Sequence, residues 1–352
     1  VTEPTAPPAT AVTLGEGHRF IVLDALRGIA AVAVLTDHLH YDLVTWFPAR
    51  HLAVDFFFVL SGFVLAHTYE PRLRAGMAAG DFMLRRLVRL WPLYALGTAA
   101  AAAVAGFTHQ SGVHIAAGLA FGAAFIPILW PALSMDGVSV FPLNIPAWSL
   151  FFELFANLVF AVVAPRLAWP VLAAILAFGA ALLFFQTAHL PSIDRGVSIE
   201  GFTVGFGRVI WSFFAGVAVY RLWRMRKAPS VPLAACAVAL LGMMAWGHHL
   251  LWAFVGFPLL VYLAAGAEPK GWSRAVQTRF GAASYGIYIL QWPILLVAER
   301  HFRFDRAIEV IGLIVVVVTV ALVMDRIYDG PARRWLGKVL SPLVRRRAAT
   351  AT

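Results

Sequence analysis

Eleven apolar stretches succeed one another along the chain. One runs from Phe20 to about Val44, and the others lie near residues 53–69, 87–106, 113–133, 147–164, 168–189, 205–220, 231–246, 248–266, 283–299 and 307–325. A bilayer core about 30 Å thick is crossed by roughly 20 helical residues, so runs of this length predict membrane-spanning helices joined by short connections. The first 17 residues, VTEPTAPPATAVTLGEG, carry no such pattern and cannot bury enough apolar surface to offset their ordering entropy, which predicts a flexible tail. The run from Phe20 is too long and too charged for the core of a secretory signal, so it is expected to stay in the mature protein as the first helix.

Basic residues between the runs constrain the topology. Clusters at Arg72, Arg74, Arg85, Arg86 and Arg89, at Arg221, Arg224, Arg226 and Lys227, at Lys270, Arg274 and Arg279, and from Arg333 to Arg347 all prefer the cytoplasm. Five apolar runs separate the first two clusters, an odd number that would place them on opposite sides. The run at 113–133 is the one expected not to cross, because the prolines of FIPILWPAL and FPLNIPAW favour an irregular or re-entrant path. The expected fold is an all-α polytopic membrane helical bundle of about ten transmembrane helices plus one re-entrant segment. Residues 1–17 would be the tail, 18–340 the membrane domain and 341–352 a basic cytoplasmic tail, with both termini cytoplasmic. Arg300, Arg303 and Arg306 are left in an outer loop, against the charge rule.

Composition agrees with the pattern. Of 352 residues 61% are hydrophobic and only 13% charged, where soluble proteins have roughly a quarter charged, and this excludes most soluble enzyme classes. The net charge of +10 does not point to nucleic acid, because the 28 Lys and Arg residues are spread through the gaps between runs. The one cysteine, Cys236, permits no intrachain disulfide.

Ionisable residues inside the runs are costly in lipid and are therefore candidates for function. Arg27 and His38 are eleven residues apart, about three helical turns plus 20°, so they share one face about 16 Å apart along the axis. Gly28, Ala30, Ala31 and Ala33 between them would let neighbouring helices approach closely. A structural role, Arg27 snorkelling and His38 packed in the core, remains open on spacing alone. Asp55 and Ser61 lie in the second run, and Arg85 and Arg89 are one turn apart in the third. Glu153 follows Trp148 by five residues and has no local partner; Arg208 is a candidate partner for it. Tyr285, Tyr288 and Gln291, at steps of three, form a polar ladder along one face. No metal-ligand pattern is expected.

Taken in order, these segments resemble the acyltransferase-3 family of integral-membrane O-acyltransferases. Arg27 and His38, within LDALRG and TDHL, match the family's basic residue followed ten intervening residues later by His. DFFFVLSGF, RRLVRLWPLY and WSLFFE are similar to its second-helix, third-helix and Trp-Ser-Leu-x-x-Glu motifs. SYGIYILQWPIL resembles a segment that usually carries His where Gln291 stands, and YDGPARRWLG a terminal Glu-x-Pro pattern with Asp329 in the acidic place. Gln291 cannot take a proton near neutral pH.

The resemblance implies transfer of an acyl group, most often acetyl, from cytoplasmic acyl-CoA to a hydroxyl of a carbohydrate, glycolipid or other envelope or secreted acceptor. The expected location is the bacterial inner membrane. A hydroxyl is a weak nucleophile that needs a base, for which His38 is the candidate, either as base or as an acyl carrier. Arg27, Arg85 and Arg89 are candidates for the CoA phosphates, which favour guanidinium over ammonium. Glu153 would orient His38 or the acceptor, and Asp55, Ser61, Trp148, Tyr285 and Gln291 are candidates for contacting substrate. A proton-coupled transporter or flippase is the rival class, although the segments show no inverted repeat.

Overall fold

A computed structural model describes residues 19–39, 47–188, 193, 195–269 and 271–349. The expected tail 1–17, the end of the first apolar run and Lys270 fall outside them. Among the described residues the chain is helical, with one isolated bridge, Ser139 to Ser198, and no extended strand. In chain order the helices are α1 (Ile21–Asp37), α2 (Ala53–Arg74), α3 (Ala79–Phe107), α4 (Gly112–Ala123), α5 (Ala147–Val163), α6 (Trp169–Thr187) and α7 (Val204–Met225). They continue as α8 (Leu233–Ala245), α9 (His249–Leu251), α10 (Phe257–Ala264), α11 (Gly271–Ala298), α12 (Ala307–Met324) and α13 (Gly330–Ala349). A π-helical turn, Trp252–Gly256, joins α9 to α10, and another, Asp325–Asp329, joins α12 to α13.

Each apolar run becomes a helix, with two departures from the expected lengths. α1 stops at Asp37, where His38 caps it and the Thr36 hydroxyl bonds back to the Ala33 carbonyl. α4 has only 12 residues, about 18 Å at helical rise, too short to cross the bilayer. Its last carbonyls, of Gly122 and Ala123, accept hydrogen bonds from Tyr94 and Trp91 in the middle of α3. An irregular chain with a short 3₁₀ turn at Pro131–Leu133 then leads to α5.

Among the described residues, six helical segments are long and apolar enough to span a membrane: Arg50–Arg74, Ala79–Phe107, Ala147–Arg166, Trp169–Thr187, Trp272–Ala298 and Ala307–Leu340. The protein is an integral membrane protein. The expected ten spans exceed this number because α1 has 17 residues, α7 carries Arg208, Arg221 and Arg224, and α8 and the α9–α10 segment are short.

Helix pairing is set by small residues. A side chain on Gly62 of α2 would strike the Phe213 carbonyl of α7, and one on Gly216 of α7 would strike the Val59 carbonyl of α2. The two helices therefore cross backbone to backbone, the small-residue contact favoured where no hydrophobic effect drives association. α1 packs chiefly on α11; Gly28 seats the Phe280 ring, and Gly281 lies against the Asp24 backbone. α11 also packs on α3 and α12, so it joins α1 to both.

The chain between α4 and α5 is fastened by Asp136. Its carboxylate accepts hydrogen bonds from the Ser134 and Ser139 hydroxyls and from the backbone N–H groups of Val138 and Ser139. Burial alone would raise its pKa, but these hydrogen bonds outweigh it and hold the carboxyl below its ordinary value. Val140 and Val138 then pair with Val197 and Ile199, which ties this segment to the loop ahead of α7.

Candidate active site

A cavity of about 140 Å³ lies between α1, α2, α3, α5 and α11. Arg27, Arg86, Arg89, Ser61, Glu153 and Tyr285 supply much of its polar lining. Three guanidiniums thus face one lining carboxylate. A larger groove of about 920 Å³ runs beside α3, α11 and α12. It is lined mostly by apolar side chains, with His301 and Glu309 at one end, so the smaller cavity, where polar groups converge, is the candidate site.

Each arginine is held by an acid. Arg27 Nη2 lies 2.9 Å from Asp24 Oδ1 one turn earlier on α1. Its Nε donates to Ser284 Oγ at 2.7 Å, and Nη2 donates to the Gly281 carbonyl at 3.2 Å. The glycine at 281 is what lets α1 come close enough to α11 for this contact. Arg86 Nη2 donates to Glu153 Oε1 at 2.7 Å, an oxygen that also accepts from Ser61 Oγ at 2.8 Å. Arg89 stacks over the Tyr285 ring at 5.2 Å, and its Nη1 is 3.5 Å from Asp329 Oδ2. Asp329 is also paired with Arg333, at 2.9 Å. Arg86 Nε and Arg89 Nη1 are buried without a hydrogen-bond partner, and such donors favour an anionic or carbonyl ligand.

The expected site residues divide into two groups. Arg27, Ser61, Arg89, Glu153 and Tyr285 converge on the cavity. Arg85, expected beside Arg89, is exposed and does not line it; Arg86, three residues before Arg89, takes that place. Both spacings put two side chains on one helix face, and contact with Glu153 decides between them. His38 sits at the far end of α1, with Nδ1 2.9 Å from the Val34 carbonyl and its ring edge-on to Trp292 at 5.4 Å. A carbonyl only accepts, so Nδ1 carries the proton in the neutral ring and the lone pair is on Nε2. Gln291 is fully buried, donates to the Tyr288 carbonyl and leaves Oε1 unbonded.

The pairing of Arg208 with Glu153 is corrected by the structure. Glu153 is taken by Arg86 and Ser61, while Arg208 grips Asp55 with Nε at 3.2 Å and Nη2 at 2.7 Å. Both residues of this pair are wholly buried. Arg208 further donates to the carbonyls of Arg195 and His51, and lies 5.2 Å over the Trp148 ring. Asp55 and Trp148 therefore belong to a buried cluster beside the cavity rather than to its lining. Ser149 and Tyr288, which sequence reasoning gave no assigned role, both line the cavity and share a 2.7 Å hydrogen bond. The WSLFFE segment held that signal, since Ser149 is one helical turn before Glu153 on the same face.

A family model described as an acyltransferase domain matches residues 20–326, which include every residue of the cavity and His38. The chain belongs to the acyltransferase-3 family. This membrane acyltransferase is 37% identical over 186 residues to "Protein 2 in picA locus" of Rhizobium radiobacter, an alignment covering 49% of the chain and 96% of that protein. It is 28% identical over 260 residues to the exopolysaccharide production protein ExoZ of Rhizobium meliloti (strain 1021), covering 67% of the chain and 74% of ExoZ. It is also 37% identical over 78 residues to YrhL of Bacillus subtilis (strain 168), named as a candidate peptidoglycan O-acetyltransferase; that match covers 21% of the chain and 12% of YrhL. No solved structure matches the acyltransferase.

Proposed function

We propose that this acyltransferase moves an acetyl group from cytoplasmic acyl-CoA to a hydroxyl of an envelope or secreted carbohydrate. The observation that carries the reading is the cavity lined by Arg27, Arg86, Arg89 and Glu153, with two buried guanidinium N–H groups unbonded. Its small volume suits the thin pantetheine arm of the donor, whose thioester end would extend toward His38, while Arg27 and Arg89 lie on the side where the donor phosphates would rest. The names of ExoZ and YrhL favour a polysaccharide acceptor.

In this scheme α1, α2, α3, α5, α6, α7, α8, the α9–α10 segment, α11 and α12 are the ten spans, and α4 with its following irregular chain is re-entrant. Both termini face the cytoplasm of a bacterial inner membrane. A cysteine reporter tests this in a Cys236→Ala background: Ala78→Cys should be labelled only from the cytoplasm and Glu200→Cys only from outside. Labelling of both from one side would refute the topology.

His38 Nε2 takes the proton of the acceptor hydroxyl as its oxygen attacks the thioester carbonyl. The C–S bond breaks, and the proton passes to the departing CoA sulfur. Arg27, about 16 Å from His38 along α1, binds donor phosphate. The test is transfer of labelled acetyl from acetyl-CoA by the purified protein, with mass spectrometry of envelope and secreted glycans for the acetyl mass. Arg27→Lys should raise KM for acetyl-CoA with a smaller change in acceptor KM, because an ammonium cannot reproduce a forked phosphate contact. Unchanged donor KM across a range of salt would return the phosphates to Arg86 and Arg89.

A further inference from the structure

A second charged hollow, of about 550 Å³, lies at the basic end of α2, α6 and α7, away from the residues of the acyl-transfer cavity. Arg74, Arg221 and Arg224 line it, with Glu70 as its one carboxylate and Trp169 and Leu167 as apolar wall. Glu70 is buried and shared: Arg74 approaches its Oε1 at 2.9 Å, and Arg221 pairs with the same oxygen. Both guanidiniums also donate to the Leu167 carbonyl. One carboxylate and one carbonyl thus hold two arginines side by side, and Arg224, one turn on from Tyr220 and exposed, forms no ion pair among the described residues. Positive charge remains in excess within the hollow.

The surroundings identify what this excess charge meets. Most of α6 is unburied, and Val171, Phe178, Phe184 and Phe185 are exposed along it. In a membrane protein such a helix faces lipid. Trp169 opens this helix, is 45% exposed and lies under the Arg221 guanidinium at 5.6 Å, the position of an interfacial aromatic anchor. α6 also begins without a capping side chain, so its uncapped first turn adds partial positive charge beside the arginines. The hollow therefore sits where a lipid-facing helix reaches the headgroup layer.

We propose that Arg74, Arg221 and Arg224 bind the phosphate of an anionic phospholipid, whose acyl chains lie along the exposed face of α6. Basic recesses between helices at the membrane surface favour such headgroups. The site is independent of the donor site proposed above, since it uses none of Arg27, Arg86 or Arg89.

The experiment titrates the detergent-purified protein with phosphatidylglycerol, phosphatidylcholine or coenzyme A, reading bound species by native mass spectrometry. Wild type should retain phosphatidylglycerol in preference to phosphatidylcholine. The Arg74→Gln/Arg224→Gln variant should bind phosphatidylglycerol about thirtyfold more weakly, the effect of removing two interfacial arginines, while coenzyme A binding is unchanged. Arg224→Gln alone leaves the Glu70 pair with Arg221 and Arg74 intact, so it reports the same loss in smaller measure even where the double variant folds poorly. Equal phosphatidylglycerol affinity in wild type and Arg224→Gln would overturn the proposal. So would loss of coenzyme A binding with phosphatidylglycerol retained, which would make the hollow a nucleotide site.

Discussion

Arg208→Met should lower the stability of the detergent-solubilised protein by about 3–5 kcal/mol, the cost of leaving a buried ion without its partner. Asp55, wholly buried, would face the bundle interior with its charge uncompensated. The carbonyls of Arg195 and His51 would each lose a donor as well. Asp55→Leu should be comparably severe for the mirror reason. The double variant Arg208→Met/Asp55→Leu should recover part of the loss, because removing both charges eliminates the unpaired one while the two carbonyls still lack the bond that Arg208 donates. Arg85→Gln, at an exposed position, should change stability by no more than about 0.5 kcal/mol. Thermal unfolding followed by tryptophan fluorescence separates these cases. An Arg208→Met protein that melts with wild type would show that the pair is not a stabilising element.

This pair explains how much of the molecule was legible beforehand. The helices were, because a span in lipid must be a long apolar run and the run itself marks the element. The prolines after α4 mark where its helix gives way to irregular chain, which leaves the run at 113–133 an α-helix of only 12 residues. The distribution of charges among partners was not legible. Asp55 and Arg208 are buried, Glu153 and Arg86 half-buried, and no spacing rule says which acid meets which base across 153 residues or 67. Helix rotation settles it: the crossing of α2 on α7 through Gly62 and Gly216 brings Asp55 to Arg208. The choice of Arg86 over Arg85 has the same origin, since α3 turns toward Glu153 the face that holds residues 86 and 89. The α11-facing side of α1 is marked by Gly28, which packs on Phe280 of α11, and its neighbour Arg27 reaches Ser284 on that helix.

His38→Ala should lower kcat for acetyl transfer by about 10²–10⁴-fold, the range for losing a positioned base, with donor KM little changed. The contrast with Arg27→Lys is the informative part, because the two residues share one helix yet lie about 16 Å apart. A merely structural α1 residue would raise KM and lower kcat together as the helix shifted. The Val34 carbonyl holds the proton of the neutral imidazole on Nδ1, so His38→Gln, which keeps a donor but has no titrating lone pair, should be as slow as His38→Ala. Rapid-quench sampling with labelled acetyl-CoA and no acceptor then separates the two chemistries open to imidazole. Label retained on wild type and absent from His38→Ala would make His38 an acyl carrier, whereas label that stays on acetyl-CoA until acceptor is added, and then appears only on the acceptor, would make it the general base. Near wild-type turnover in both His38 variants would remove His38 from the reaction and leave Glu153, the one carboxylate in the cavity, as the group to test as base.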